Sequence, residues 1–374
     1  MEAALLDIVS TINSYLSNYV LLVLLIGTGL YFTVRTRFVQ FRCFGEGWKK
    51  MFGGFSLRGG DHGGAMSSFQ ALATAIAAQV GTGNIVGACG AILIGGPGAI
   101  FWMWIIALLG MATNYAEATL AQKTKVIGED GGVHGGPAYY ITTAFKGAGG
   151  RFLAGFFSVA IILALGFIGC MVQSNSIAET MNNATGIPSW IVGLVVAIVA
   201  EFATAEGDAI AEGYALDASG SLVDADGEIV LSDDDTGDPA ALAKAIGISK
   251  TNMAQLAFGA FFTAGPGNIF VAICLLFFAL STILSWNLFG KLNVQWLFRK
   301  QNTKVPVIIY SIIGIAFVFM GSLLQNDLVW ELQDMFNQLM VLPNAIALIA
   351  LSGWVVKCAN ARGTKTGEIM ADEL

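Results

Sequence analysis

Charge is scarce in this chain: of 374 residues only 12% are Asp, Glu, Lys or Arg, against 55% that are hydrophobic. Nothing in the sequence supports nucleic-acid binding, and the net charge of -7 is carried mostly by one segment, so it says little about the remaining surface. The five cysteines, Cys43, Cys89, Cys170, Cys274 and Cys358, are scattered with no CxxC pair, and most lie in apolar runs where cysteine behaves as a small hydrophobe. Neither a disulfide framework nor a zinc site is expected. No nucleophile and base, and no set of metal ligands, stand at useful spacing, so the chain does not read as an enzyme. His134 has no carboxylate, Cys or His partner at ligand spacing. The start carries Glu2 and Asp7 in place of a basic stretch, which argues against a cleaved signal peptide.

What is present is apolar length. Mean hydropathy is +0.69, and several runs are long enough to cross about 30 Å of hydrocarbon. The reading is an all-α, multi-pass protein of the lipid bilayer. Leu5–Leu16 is amphipathic and fits the interface, and the first span runs from about Tyr19 to Val34. Arg35, Arg37, Arg42, Lys49 and Lys50 follow, so that connection is cytoplasmic and the N-terminus outside. Further spans are read at about 66–94, 99–122, 152–181, 268–288, 305–324 and 329–356. The last is followed by Lys357, Arg362 and Lys365, which puts the C-terminus in the cytoplasm. A short apolar run, 187–200, is marginal as a crossing. Seven true spans satisfy every charge cue, and eight would leave the C-terminus outside.

Three stretches interrupt this pattern. In the second span, Gln79-Val80-Gly81-Thr82-Gly83-Asn84 sets two glycines among three polar side chains. A backbone that opens at membrane depth is tolerated only where it lines a cavity or is covered by protein, and secondary transporters place ion and substrate sites at such openings. A close-packing face of small residues is the competing account, but packing needs no Gln, Thr or Asn. Gln173-Ser174-Asn175-Ser176 in the fourth span is either polar glue between helices or a substrate contact. Glu117, near the inner end of the third span, is read as a snorkelling or paired structural carboxylate in preference to a functional one.

The third interruption is compositional. Between Glu201 and Pro239 there are a dozen acids and no Lys or Arg, so this segment lies outside the bilayer. SLVDADGEIVL reads as two short strands around an Asp-Gly turn. Asp224, Asp226, Glu228 and Asp233 to Asp235 lack EF-hand spacing, and a solvated acidic hairpin accounts for them better than calcium does. The organisation is then 1–204 with the N-terminal helix and first spans, 205–265 acidic and extracytoplasmic, 266–357 with the last three spans, and 358–374 a cytoplasmic tail. GEDGGVHGGPAYYI suits a re-entrant or interfacial hairpin.

GGPGAIFWMWIIALLG, Gly95 to Gly110, resembles the signature of the prokaryotic sodium:alanine (amino acid carrier) symporter family. FQALATAIAAQVGTGNIVG, NYAEATLAQK, VHGGPAYYI, MVQSNS, FALSTILSW and DMFNQLMVLPNAIALIALSG resemble the same family at the same relative places. The resemblance implies a LeuT-like fold of two inverted five-helix repeats after an extra N-terminal helix, with Na+ entry coupled to uptake of alanine or glycine across the cytoplasmic membrane. It implies a substrate site at Gln79, Thr82, Gly83, Asn84 and Gln173. It also implies a sodium site made by the carbonyls of Ala77 and Val80 with the hydroxyls of Ser281 and Thr282; hard oxygen ligands suit sodium without burying a full charge.

The chain departs from that family in length. Members exceed four hundred residues, and here the rest of the fourth through the seventh repeat helices are missing, including the second unwound helix with its SNEAGLGSA-like segment. The expectation is an incomplete LeuT-like fold with seven to eight transmembrane helices and an acidic extramembrane loop. The function implied is sodium-coupled symport of small neutral amino acids, the alternative being a non-transporting, internally deleted membrane protein that binds a partner or is a defective remnant. Assembly of two chains could rebuild the missing wall.

Overall fold

In hydrocarbon every backbone N–H and C=O must close within its own segment, so long Leu, Ile, Val, Phe and Ala runs fold as helices. The computed structural model describes residues 2–52, 75–127, 133–202, 215–216, 222–223, 229–231, 254–255, 264–299 and 303–360. In chain order the helices are α1 (Ala4–Arg35), α2 (Val39–Arg42), α3 (Phe44–Phe52), α4 (Gly83–Gly95), α5 (Ala99–Lys123), α6 (Pro137–Ala144) and α7 (Gly147–Thr185). They continue with α8 (Ser189–Phe202), α9 (Ala264–Leu297), α10 (Lys304–Gly321), α11 (Asn326–Ala350) and α12 (Ser352–Asn360). Among the described residues five helices are long and apolar enough to cross a membrane: α1, α5, α7, α9 and α10. α11 and α12, bent by 59° at Leu351, reach that length and apolarity only together, as a broken span or a re-entrant loop. Among the described residues the apolar helices Gly83–Gly95, in α4, and Ser189–Ile198, in α8, are shorter than a crossing; the first part of the span read at 66–94 lies outside the described residues.

The N-terminal reading changes in detail. Leu5–Leu16 does not form a separate interfacial helix; it continues through a widened turn at Leu16–Leu21 into one 32-residue helix, about 48 Å long. Its polar face meets α11. Asn13 Nδ2 donates to the Glu331 carbonyl at 2.7 Å and carboxylate at 2.6 Å, and Gln338 Nε2 donates to Ser17 Oγ at 2.7 Å. Amphipathicity here marks a helix-packing face, which the sequence pattern alone does not distinguish from a membrane-surface face.

α7 is the central element. Cys170 through Ala178 are all buried, polar Gln173, Ser174, Asn175 and Ser176 included, because α9, α10, α8 and α11 surround them. One apolar cluster gathers Phe32, Ala116, Leu120, Tyr140, Phe157, Trp296 and Leu348 at the end carrying the basic connections. A second gathers Ile177, Met181, Val192, Val196, Leu276 and Val318. α5 turns Phe101, Trp102 and Trp104 outward, the face a lipid-bathed helix presents.

Outside the long helices, β1 (Val126–Ile127) pairs antiparallel with β2 (Val133–His134) ahead of the Pro137 helix start. β3 (Ala215–Leu216), β4 (Leu222–Val223) and β5 (Ile229–Leu231) pair antiparallel in that order. The acids named as calcium candidates, 53–74 and the tail from 361 lie outside the described residues.

Close helix contact depends on particular glycines. A Cβ at Gly321 would lie 2.5 Å from the Met171 carbonyl oxygen and 2.6 Å from its Cα, so α10 meets α7 there backbone to backbone. Gly321→Ala is expected to cost about 1–3 kcal/mol by overpacking, because backbone cannot swing aside as a side chain can. A lowered unfolding midpoint of the purified protein in detergent checks this. Gly155→Ala, with nothing within 4 Å of its Cβ, is the neutral comparison.

Candidate functional site

Residues 75–79 form a helical turn that stops at Val80-Gly81, and helix resumes at Thr82. In an unbroken helix the Gly81 N–H would bond the Ala77 carbonyl and the Thr82 N–H that of Ala78. Here Gly81 N donates instead to Asn84 Oδ1 at 3.0 Å, and Thr82 N to Gln173 Oε1 at 3.1 Å. Two carbonyls are thereby released from the ladder, and buried carbonyls must find partners elsewhere.

α9 supplies them. Trp286 Nε1 donates to the Ala78 carbonyl at 2.9 Å. Thr282 Oγ1 stands 2.9 Å from the Ala77 carbonyl oxygen and 3.2 Å from that of Val80, and also 2.8 Å from the Phe278 carbonyl of its own helix. A hydroxyl has one proton, so it can donate to only one of the three. Whichever it chooses, at least one carbonyl of the break keeps lone pairs turned towards the hydroxyl oxygen. That convergence of uncharged oxygens has the chemistry to receive a hard monovalent cation.

The wall behind the break is α7. Gly169 gives Trp286 its seat: a Cβ there would lie 2.6 Å from Trp286 Cε3. Gln173 is 1% exposed and Thr82 fully buried, and the Thr82, Ser174 and Ser176 hydroxyl oxygens have no hydrogen-bond partner among the described residues. Two turns further along α7, Gln255 donates to the Thr180 carbonyl at 3.0 Å, while Ala254 packs with Val86, Val271 and Leu275.

The residues singled out in the sequence therefore divide. Ala77, Val80, Thr82, Gln173 and Thr282 come together at the break. Gln79, Gly83 and Asn84 lie on its exposed side, with Asn84 folded back to cap the Gly81 N–H. Ser281 is not brought to the break; its hydroxyl returns to the Phe278 carbonyl at 2.9 Å on the exposed side of α9. Trp286 was not singled out. The signal for it was present, since it stands four residues after Thr282 and so on the same helical face.

Glu117 falls elsewhere. Asn344 Nδ2 donates to its Oε1 and Tyr140 OH donates to Asn344 Oδ1, so the carboxylate closes a chain linking α5, α6 and α11 near Pro343. Its partner is thus an amide, where the sequence pointed to a neighbouring base.

An all-helical membrane bundle whose polar centre is an opened helix, faced by a hydroxyl and a buried amide, has the plan of a secondary transporter. The profile of the sodium:alanine symporter family matches residues 2–212 and 229–368. The chain is 30% identical to the sodium/alanine symporter AgcS of Methanococcus maripaludis, across 94% of this chain and 95% of that protein. It is 32% identical to an uncharacterized transporter of Haemophilus influenzae, across 94% of each. The amino-acid carrier protein AlsT of Bacillus subtilis is 40% identical across 54% of this chain and 41% of its own length. The chain belongs to the sodium:alanine symporter family, whose members are transmembrane amino acid carriers. The alignment to AgcS runs over 438 positions against 374 residues here, so that relative has stretches with no counterpart in this chain.

Proposed function

We propose that this protein carries small neutral amino acids, alanine or glycine, across the cytoplasmic membrane together with Na+, using the break at Val80-Gly81. The observation that carries the reading is the convergence of the Ala77 and Val80 carbonyls on the single Thr282 hydroxyl. Na+ would be held there by three uncharged oxygens, those of Ala77, Val80 and Thr282, without Ser281. The zwitterion would lie on the other side of the broken backbone, near Gln79, Thr82, Gly83 and Asn84, with the Gln173 amide facing it. Binding of both would stabilise the closed bundle, and rocking of the helices would present the site to each side in turn. The N-terminus is outside and the C-terminus cytoplasmic, by the positions of Arg35, Arg37 and Lys357.

The test is uptake of labelled alanine into proteoliposomes under an inward sodium gradient. Uptake that exceeds empty liposomes and falls to their level when choline replaces sodium is the expected result. A second reading is favoured by a specific observation: Gln79, Gly83 and Asn84 are exposed, as an internally shortened chain with part of its cavity wall missing would leave them. On that reading the protein binds ion and amino acid without moving them. Saturable alanine binding with no uptake identifies it.

A further inference from the structure

The connection after α1 presents a face that the transport site does not use. Arg37 and Phe38 have φ values of 55° and 56°, two successive side-chain-bearing residues in the left-handed region. That conformation is unfavourable for L-residues and persists only where surrounding contacts impose it. Here they do. Phe38 N donates to the Thr33 carbonyl at 2.7 Å and Gln40 Nε2 to Thr33 Oγ1 at 2.9 Å. Arg42 Nη2 donates to the carbonyls of Thr36 at 3.1 Å and Ala359 at 2.9 Å, tying the turn to α12.

The turn gives the segment two sides. Val39 and Gln40 are buried against the bundle. Phe38, Phe41, Phe44 and Trp48 are turned out, 54%, 62%, 60% and 55% exposed, with the Phe44 and Trp48 rings stacked 5.9 Å apart. Arg35, Arg37 and Lys49 are exposed around them, and Lys50 follows in sequence. Glu46 is the sole acid between Arg35 and Phe52. The aromatic row begins three residues past Arg35, the end of a membrane-spanning helix, so it stands at the edge of the hydrocarbon. Large rings beside Lys and Arg at that level are the composition of an interfacial segment, and the excess of positive charge selects anionic headgroups.

We propose that residues 37–50 form a platform that binds the anionic phospholipid surface of the leaflet at the Arg35 end of α1, the rings entering the headgroup boundary and the cations pairing with phosphate. This rests on membrane insertion of α1 and not on the transport reading. The test is amide hydrogen exchange of the full chain, one copy per nanodisc, in phosphatidylcholine alone and with phosphatidylglycerol added. Peptides covering 38–50 exchange more slowly with phosphatidylglycerol, and those of α10 do not change. Arg37→Gln and Lys49→Gln each reduce the added protection about fivefold, the worth of one cation near an anionic surface. Phe44→Ser with Trp48→Ser removes protection in both lipids. Equal exchange of 38–50 in the two discs overturns the proposal, as does protection seen only when two chains share a disc, which would assign the face to a second copy. If a variant fails to fold, its α10 peptides show it, and the wild-type comparison between lipids decides alone.

Discussion

Replacing Thr282 by valine is expected to raise the sodium concentration needed for half-maximal alanine binding about tenfold to a hundredfold. Valine keeps the shape and β-branching of threonine and removes only the hydroxyl, whose oxygen stands 2.9 Å and 3.2 Å from the carbonyls of Ala77 and Val80. A hydrogen-bonding or ligand oxygen facing a charged group contributes about 1.5–3 kcal/mol, which is that range of affinity. Thr282→Ser restores the oxygen and most of the affinity. If Thr282 only packs α9 against the break, valine serves as well as threonine, and an unchanged sodium dependence would reject the ion role. Ser281→Ala is the internal comparison: its hydroxyl turns back to Phe278, so sodium dependence is expected to stay as in the wild type.

Gly81→Ala is expected to be more damaging, lowering alanine affinity by about a hundredfold or more through overpacking and lost hydrogen bonds together. A Cβ at that position would lie 2.7 Å from Thr282 Oγ1, 3.1 Å from Gln173 Oε1 and 3.2 Å from Thr282 Cγ2. Thr282 is β-branched on a helix and has little rotamer freedom with which to retreat. The methyl would push the hydroxyl from the carbonyls and the Gln173 amide from the Thr82 N–H at once. Because both substitutions act through one contact, Gly81→Ala combined with Thr282→Ala is expected to cost less than the sum of the two singly. Gly87→Ala, one turn further along α4 and with nothing within 4 Å of its Cβ, separates this steric effect from a general intolerance of added side chains in that helix. Full additivity in the cycle would mean that Gly81 and Thr282 do not share a site.

The break was legible because Gly81 and Gly83 beside Gln, Thr and Asn conflict with an apolar helix, and a conflict of that kind inside hydrocarbon has few structural resolutions. The burial of Gln173 to Ser176 was legible for the same reason: polar side chains in a span face protein. Which of Ser281 and Thr282 meets the break was not. Adjacent residues on a helix differ by about 100° in direction, and the phase of α9 is fixed by a tertiary contact, Trp286 seated on Gly169. The continuity of α1 was hidden similarly, since Asn13 and Ser17 on its polar side meet Glu331 and Gln338, more than three hundred residues away. The route of Trp286 to the Ala78 carbonyl depends on where the ladder opens, which composition brackets only to within a few residues.

The central claim is that the backbone opened at Val80-Gly81 holds a cation and an amino acid jointly. Equilibrium binding of labelled alanine to the purified chain, with sodium varied at constant ionic strength, tests it without requiring transport. Saturable binding that tightens as sodium rises, and loses that dependence in Thr282→Val, is the result the account predicts. Absence of alanine binding at any sodium concentration, or binding indifferent to sodium in the wild-type chain, would contradict it.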